Sequence, residues 1–147
     1  MNNIITGIKV AFALIGGWIT AVLGGWDTAL QVLVLFVVMD YITGLIAAWY
    51  SKSLNSQVGF KGICKKILLF VPIAICYVLD QMIGQEILRS LAIFFYIANE
   101  GLSITENLGR CGVSVPVALM DALEQLKKKG EKADECRKIE GDVRSDG

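Results

Sequence analysis

Residues 30–50 read LQVLVLFVVMDYITGLIAAWY, and this stretch decides the class of fold. Its single charged side chain is Asp40, and the rest is apolar almost without interruption. A helix of a soluble domain alternates apolar and polar faces every three or four residues, which this stretch does not do. About 20 apolar residues are enough for a helix to cross a bilayer. The stretch is therefore predicted to be a transmembrane helix.

Similar apolar segments flank it on both sides. One runs from about Ile8 to Trp26 and is separated from it by little more than Asp27. Lys9 followed by apolar and then small residues is also the pattern of a signal peptide, but the second apolar segment follows so closely that a hairpin of two membrane helices suits it better. A third segment runs from Ile67 to about Ile83 and contains Pro72, which membrane helices tolerate but which is expected to kink the span.

Composition excludes several classes of function. The chain has 147 residues, 54% of them hydrophobic, with 14 basic and 14 acidic side chains and no histidine. Without histidine, Ser-His-Asp triads and most zinc sites are excluded, and a net charge of zero argues against nucleic acid as a partner. The cysteines form no C-x-x-C pair; they are Cys64, Cys76, Cys111 and Cys136.

The fourth apolar segment, from about Ser90 to Leu108, differs from the others because polar residues interrupt it. At 100° per residue they share an arc of about 120°, and the members of this polar arc are Tyr96, Asn99, Glu100, Ser103, Glu106, Asn107 and Arg110. Ile93, Ile97 and Ile104 fall outside it. We expect the apolar side to face lipid and the polar side to face water or protein. Glu106 and Arg110 are also spaced to pair along one helix.

The chain changes character after Gly109 and Gly112. Ser114 and Pro116 resemble a helix start, and apolar residues then recur every three or four positions, at Leu119, Met120, Leu123 and Leu126. That spacing predicts a helix lying along the membrane surface. The predicted fold is therefore all-α and multi-pass, with about four transmembrane helices, of which the fourth is polar and either crosses the membrane or lies at its interface, plus a C-terminal amphipathic helix.

Loop charges predict the orientation. The segment 51–66 reads as a basic loop with four lysines and no acid, whereas the turn at Asp27 has no cation and the link from Asp80 to Arg89 has one. Because lysine and arginine in short loops mark the cytoplasmic side, the 51–66 loop and both termini are predicted to be cytoplasmic.

Small residues in the membrane segments are candidates for helix packing. They recur every four residues in the first helix, where helix backbones could approach closely, and the candidates are Ala13, Gly17, Ala21 and Gly25, with Gly44 in the second helix. The pattern leaves open whether they pack within one subunit or between subunits.

Asp40 needs an explanation, because a carboxylate near the bilayer centre costs roughly 2.5–3.5 kcal/mol even on the lenient insertion scale. It is either a neutral, protonated group in a structural hydrogen bond or a residue that lines a subunit contact or a lumen. The candidates for such a lining are Asp40, Thr43, Asn99, Glu100, Ser103, Glu106 and Asn107.

With these residues in view, the sequence resembles the phage lysis and toxin-secretion holin family. The likeness spans about Val32 to Leu126 and rests on DYITG at 40–44, the segment 56–62 leading into Lys65 and Lys66, NEGLSITEN at 99–107, and the glycines before Pro116. It implies subunits that gather in the host cytoplasmic membrane as homo-oligomers. At a set time they form lesions that release an endolysin or a toxin, with no cofactor and no enzymatic activity.

We therefore divide the chain into a transmembrane holin domain at residues 1–109, an amphipathic juxtamembrane helix at 110–129 and a charged cytoplasmic tail at 130–147. Since 15 of the 28 charged side chains lie in the last 27 residues, the tail is predicted to be disordered or a solvated helix. The competing hypothesis is a small proton-coupled exporter in which Asp40 or Glu100 exchanges protons with a substrate. Broken helices or inverted repeats would favour it, and the sequence has neither. A membrane enzyme is disfavoured because no nucleophile has a nearby base.

Overall fold

The structure is a computed structural model that describes residues 2–53 and 55–128, and within them the chain forms helices and no strand. The helices are α1 (Asn2–Val22), α2 (Thr28–Tyr50), α3 (Ser56–Leu68), α4 (Phe70–Ile83) and α5 (Leu88–Arg110), with α6 at residues 117–128. The all-α prediction is confirmed. The predicted tail 130–147, which includes Cys136, lies outside the described residues.

Three stretches are long and apolar enough to cross a membrane, namely Ile4–Val22, Thr28–Tyr50 and Gly59–Ile83. They correspond to the first three predicted spans. The last of them is broken at Leu69, between α3 and α4, just before Pro72, whose ring is incompatible with the carbonyl one turn earlier. Leu69 itself keeps helical dihedral angles, with φ −59° and ψ −29°, so the kink at Pro72 stays a prediction.

The segment 51–66 is not a basic loop, which corrects the expectation from its composition. Asn55 accepts a hydrogen bond from the backbone N–H of Gln57 at 2.9 Å, and α3 begins at Ser56. Asparagine is among the best residues for capping a helix start. As a result Lys66 projects from a helix whose position is set by its neighbours, rather than from a solvated loop.

Helices α2 and α5 run parallel to each other. Each has 23 residues, a length of about 35 Å at 1.5 Å per residue. Arg89, at the start of α5, pairs with Asp27 before α2, and Asn107, near the end of α5, reaches Thr43 in the second half of α2. The two helices therefore occupy the same depth along their common axis.

The consecutive helices α3 and α4 run antiparallel to α2 and α5, and together they complete a bundle of three helical columns. Asp80, near the end of α4, accepts hydrogen bonds from the backbone N–H groups of Leu88 and Arg89 at 3.0 and 2.8 Å. The centre of the bundle is apolar and contains the fully buried side chains of Leu30, Leu33, Ile73 and Ile93. This core holds α2, α4 and α5 in register, and so positions the polar groups described below.

Helix α1 stands apart from this bundle. No described side chain between Ile4 and Val22 is buried, and nothing lies within 4 Å of a Cβ placed on Gly17 or Gly25. Ala13 and Ala21 are exposed as well. Gly44 differs from these, because a Cβ there would lie 3.5 Å from the side-chain amide of Asn107. Of the five packing candidates, Gly44 is thus the one whose missing side chain faces another helix of the same chain.

The apolar side of α5 packs inside the bundle rather than facing lipid, which corrects a second expectation. Ile93, Ile97 and Ile104 are 0%, 7% and 8% exposed, because α5 packs against both α2 and α4. A helix with two neighbours buries its most apolar side between them. The middle of the polar arc is consequently turned outward, with Asn99 and Glu106 exposed.

Candidate functional site

A buried ion cluster joins the three helices of the bundle. The Nζ of Lys66 lies 2.5 Å from Oδ2 of Asp40 and also pairs with Oε2 of Glu100. Asp40 and Glu100 are 6% and 2% exposed, whereas the side chain of Lys66 is 22% exposed. One cation therefore bridges a carboxylate from α2 and a carboxylate from α5. With all three groups ionised, the cluster has a net charge of −1.

Asp40 has further partners besides the lysine. The Nδ2 amide of Asn107 donates to Oδ1 of Asp40 at 3.0 Å and lies 3.3 Å from the hydroxyl of Thr43. That hydroxyl donates in turn to the backbone carbonyl of Asp40 at 3.1 Å. Both carboxylate oxygens of Asp40 thus accept from a donor. Such an arrangement suits the ionised form, because a charged carboxylate accepts strong hydrogen bonds from cationic and amide donors.

The cluster explains how α2 and α5 can each carry a carboxylate that is buried inside the bundle. A buried charge is tolerated when it is paired and hydrogen-bonded, whereas removing one partner leaves the other uncompensated. Because Lys66 contacts both carboxylates, neither helix can separate from α3 without exposing an unpaired charge to the apolar interior. The cluster therefore specifies the mutual arrangement of three helices rather than a single pairwise contact.

A cleft of about 240 Å³ leads to Asp40 and Lys66 from the connection between α2 and α3. Three glycines, Gly44, Gly59 and Gly62, form part of its wall, so the backbone is open to the cleft where a side chain would otherwise stand. The remaining lining is mostly polar and consists of Asp40, Tyr41, Leu45, Ala48, Ser53, Asn55, Lys66, Ser103 and Asn107. The cleft is wide enough for water to reach Lys66.

The seven lining candidates divide between two locations. Asp40, Thr43, Glu100 and Asn107 come together at the ion cluster. Asn99 and Glu106 point outward from α5, and Ser103 lies between the two groups at the edge of the cleft. Within the described residues no ion pair joins Glu106 to Arg110. We call the outward side of α5, made of Asn99, Ser103, Glu106 and Arg110, the polar strip.

A second polar cluster closes the opposite end of the bundle. The guanidinium of Arg89 donates from Nε to the carbonyl of Leu23 at 2.5 Å, from Nη2 to the carbonyl of Gly25 at 3.3 Å, and from Nη1 to Oδ2 of Asp27 at 2.5 Å. Arg89 therefore joins the chain between α1 and α2 to the start of α5. We call this set of contacts the clamp. Its hydrogen bond holds the pKa of the Asp27 carboxyl below the usual value.

Gly24 makes this clamp sterically possible. Its φ of +84° is unfavourable for residues with a side chain, and a Cβ there would lie 2.5 Å from the ring of Tyr77 and 2.7 Å from Nε of Arg89. Glycine is the residue that adopts such a conformation without cost and leaves space for a close approach. The pattern of small residues singled out this end of α1, but for helix packing rather than for this contact.

Lys66 is the residue of the candidate site that sequence reasoning missed. Its signal was the spacing of Gly59, Gly62 and Lys66, which puts all three on one face of a helix. That face was hidden because the segment reads as a polar loop. Within the described residues, no group of three or more cysteine, aspartate or glutamate side chains is placed to hold a metal ion.

Comparison with known proteins identifies the family. An uncharacterized 14.9 kDa protein of Clostridium perfringens is 41% identical over 131 residues, covering 88% of this chain and 99% of that protein. A protein of Bacillus phage phi105 named probable holin is 36% identical over 112 residues, covering 73% of this chain and 83% of its own. No solved structure matches. The profile of the bacteriophage holin family matches residues 17–128, so the chain belongs to that family.

Proposed function

We propose that this protein assembles with copies of itself in the bacterial cytoplasmic membrane and forms lesions that let a phage endolysin, or a toxin, leave the cell. Membership of the holin family supports a membrane protein with a holin role. The observation that carries the finer proposal is the polar strip of α5. It faces outward from a bundle whose other helices present mainly apolar residues to the surroundings.

The proposal has four spans with both termini in the cytoplasm. Helix α5 lies parallel to α2 between the Arg89–Asp27 pair at one end and the Asn107–Thr43 contact at the other, so it crosses the membrane wherever α2 does. The α2–α3 connection and α3 contribute the exposed cations Lys52, Lys61 and Lys65, in keeping with a cytoplasmic location.

In this arrangement the polar strip cannot remain against lipid. An unpaired glutamate and an asparagine at bilayer depth are costly, and polar residues in spans almost always face protein or a water-filled cavity. Contact with neighbouring subunits or with a lumen removes that cost. Assembly therefore becomes favourable as the number of copies in the membrane rises, and no catalytic step is needed.

The second candidate function, a small proton-coupled exporter, is favoured by a specific observation. The cleft leads from the α2–α3 connection to Asp40 and Lys66, and Lys66 pairs in turn with Glu100. An exporter would use these groups to exchange protons and a small substrate. It would not pass a folded protein.

The test replaces outward polar residues by leucine. We expect Asn99→Leu and Glu106→Leu to leave the membrane level unchanged or raised, because each removes a polar group from the lipid-facing surface, and to delay or abolish lysis. Phe94→Leu is the matched control, since Phe94 is an outward residue of the same helix that is 45% exposed and lies away from the polar strip.

The readouts are membrane potential and the release of a cytoplasmic enzyme after induced expression in a bacterium. Abrupt loss of potential together with enzyme release supports the lesion proposal. Normal lysis from both polar-strip variants at normal membrane levels would count against it. A gradual, substrate-dependent proton flux without enzyme release would favour the exporter.

A further inference from the structure

Helix α6 folds back onto the bundle instead of lying away from it. Leu123 is 8% exposed, and a Cβ placed on Gly101 would lie 2.7 Å from one Leu123 methyl group, 3.1 Å from the other and 3.2 Å from the ring of Phe36. The missing side chain of Gly101 is therefore the space that Leu123 fills. Gly101 and Phe36 form the floor of a shallow groove between α5 and α2.

This contact sets how deep α6 lies beside the bundle. Gly101 precedes the end of α5 at Arg110 by nine residues, which is about 14 Å along a helix. Since α6 returns antiparallel from the 111–116 connection, its charged residue Asp121 and the ion pair of Glu124 with Lys128 lie beside the middle third of α5. All three are exposed.

The docked position conflicts with a bilayer around α5. With α5 crossing the membrane as in the proposed function, the exposed charges of a docked α6 would enter the hydrocarbon region, where ionised side chains are strongly disfavoured. Lipid around this side of α5 and a docked α6 therefore exclude one another. We propose that α6 is a releasable cover: it is docked on Gly101 until lipid surrounds α5, and it moves to the membrane surface when α5 takes its place across the bilayer.

Two features of α6 fit a reversible contact. Leu123 is the one buried residue of α6, and Leu126 is partly buried against the core. Other apolar residues stay open, since Val117, Leu119 and Met120 are 71%, 48% and 39% exposed. A helix with a polar face and an unburied apolar face gains by lying in the headgroup region. Release thus exchanges one buried leucine for interfacial burial of several apolar residues.

The test is a disulfide that locks the cover. Gly101→Cys and Leu123→Cys are combined in the full chain after its four native cysteines are replaced by alanine, in a background that retains parental lysis. Oxidation on isolated membranes should join the two thiols, as read by loss of free thiol. In cells the oxidised protein should reach the membrane at the parental level yet lose lysis, and a membrane-permeant reductant should restore it. The two single-cysteine variants are the controls: each weakens the contact and should lyse no later than the parent, with an onset that oxidation does not change.

A second variant avoids dependence on the disulfide. Leu123→Asp removes the side chain that fills the groove and should bring lysis onset forward, whereas Leu119→Asp, at an exposed position of the same helix, should not.

Lysis by the locked protein at the parental time would overturn the proposal and would favour an α6 that stays docked and lines a lumen. Failure of the two thiols to join, or an unchanged onset for Leu123→Asp, would also overturn it. Absence of lysis from the parental chain would instead contradict the proposed function, while thiol loss on isolated membranes would still report on docking.

Discussion

Replacing Lys66 by methionine tests whether the ion cluster holds the bundle together. The change removes the cation but keeps an unbranched side chain of similar length, so Asp40 and Glu100 are left 6% and 2% exposed without an opposite charge. Breaking a buried ion pair by removing one partner costs about 3–5 kcal/mol. Asp40 keeps the hydrogen bond from Asn107, whereas Lys66 is the donor that the structure provides for Glu100.

We therefore expect Lys66→Met to lower the apparent free energy of unfolding by about 4 kcal/mol, or roughly three orders of magnitude in the folded-to-unfolded ratio. The measurement is denaturant unfolding of the detergent-solubilised protein, followed by tryptophan fluorescence. Lys65→Met is the matched control: it removes an adjacent but exposed lysine and should change the free energy of unfolding by no more than about 0.5 kcal/mol.

A rescue variant separates charge from packing. Combining Lys66→Met with Asp40→Asn and Glu100→Gln removes every charge of the cluster, so no buried charge is left uncompensated. The triple variant should recover most of the lost free energy of unfolding. Our reasoning is refuted if Lys66→Met lies within about 1 kcal/mol of the parent, or if the triple variant is no more stable than the single one.

The clamp at the other end of the bundle gives three further predictions, all measured by the same unfolding assay. Gly24→Ala should destabilise more than Gly25→Ala, because both have positive φ but a Cβ on Gly24 also meets Tyr77 and Arg89; equal losses would contradict the steric argument. Arg89→Met should cost about 1–3 kcal/mol through buried carbonyls left without a donor and should increase protease cleavage between α1 and α2; unchanged cleavage would count against the clamp. The pKa of Asp27 is lowered in the folded protein, so its contribution to stability is present above the unfolded value of 3.8 and is lost as the pH falls through the folded value. Asp27→Asn should therefore flatten that part of the pH profile of the free energy of unfolding. A profile identical to that of the parent would refute this assignment.

What could be predicted from the sequence depended on local pattern. The apolar run after Asp27 predicted α2 because hydrophobic length alone separates a membrane span from a soluble helix. The angular positions on α5 correctly grouped Asn99 and Glu106 on one side. They could not tell which side of the helix packs, because that depends on the number of neighbouring helices, and the apolar side turned inward.

The contacts that could not be predicted connect distant parts of the chain. Asp40 was recognised as a charge that needs an explanation, but its cation lies on another helix, and no spacing rule links Asp40 to Lys66. The pairing of Leu123 with Gly101 is similar, because a leucine at a surface-helix spacing carries no sign that a glycine elsewhere leaves a space for it. Tertiary packing supplies both partners.

The bridging position of Lys66 has a consequence for how the chain is made. Asp40 leaves the ribosome about 26 residues before Lys66, which is roughly 1–5 s at ordinary rates of synthesis, so α2 enters the insertion machinery with an unpaired carboxylate. Once α3 has been synthesised, Asp40 and Lys66 can form a neutral pair in a nascent chain that does not yet contain α5. Glu100 follows 34 residues after Lys66 and must share a cation that is already engaged. Helix α5 is therefore the last helix of the bundle to be recruited during biosynthesis, and it joins by adding one negative charge to a pair that was neutral before it arrived.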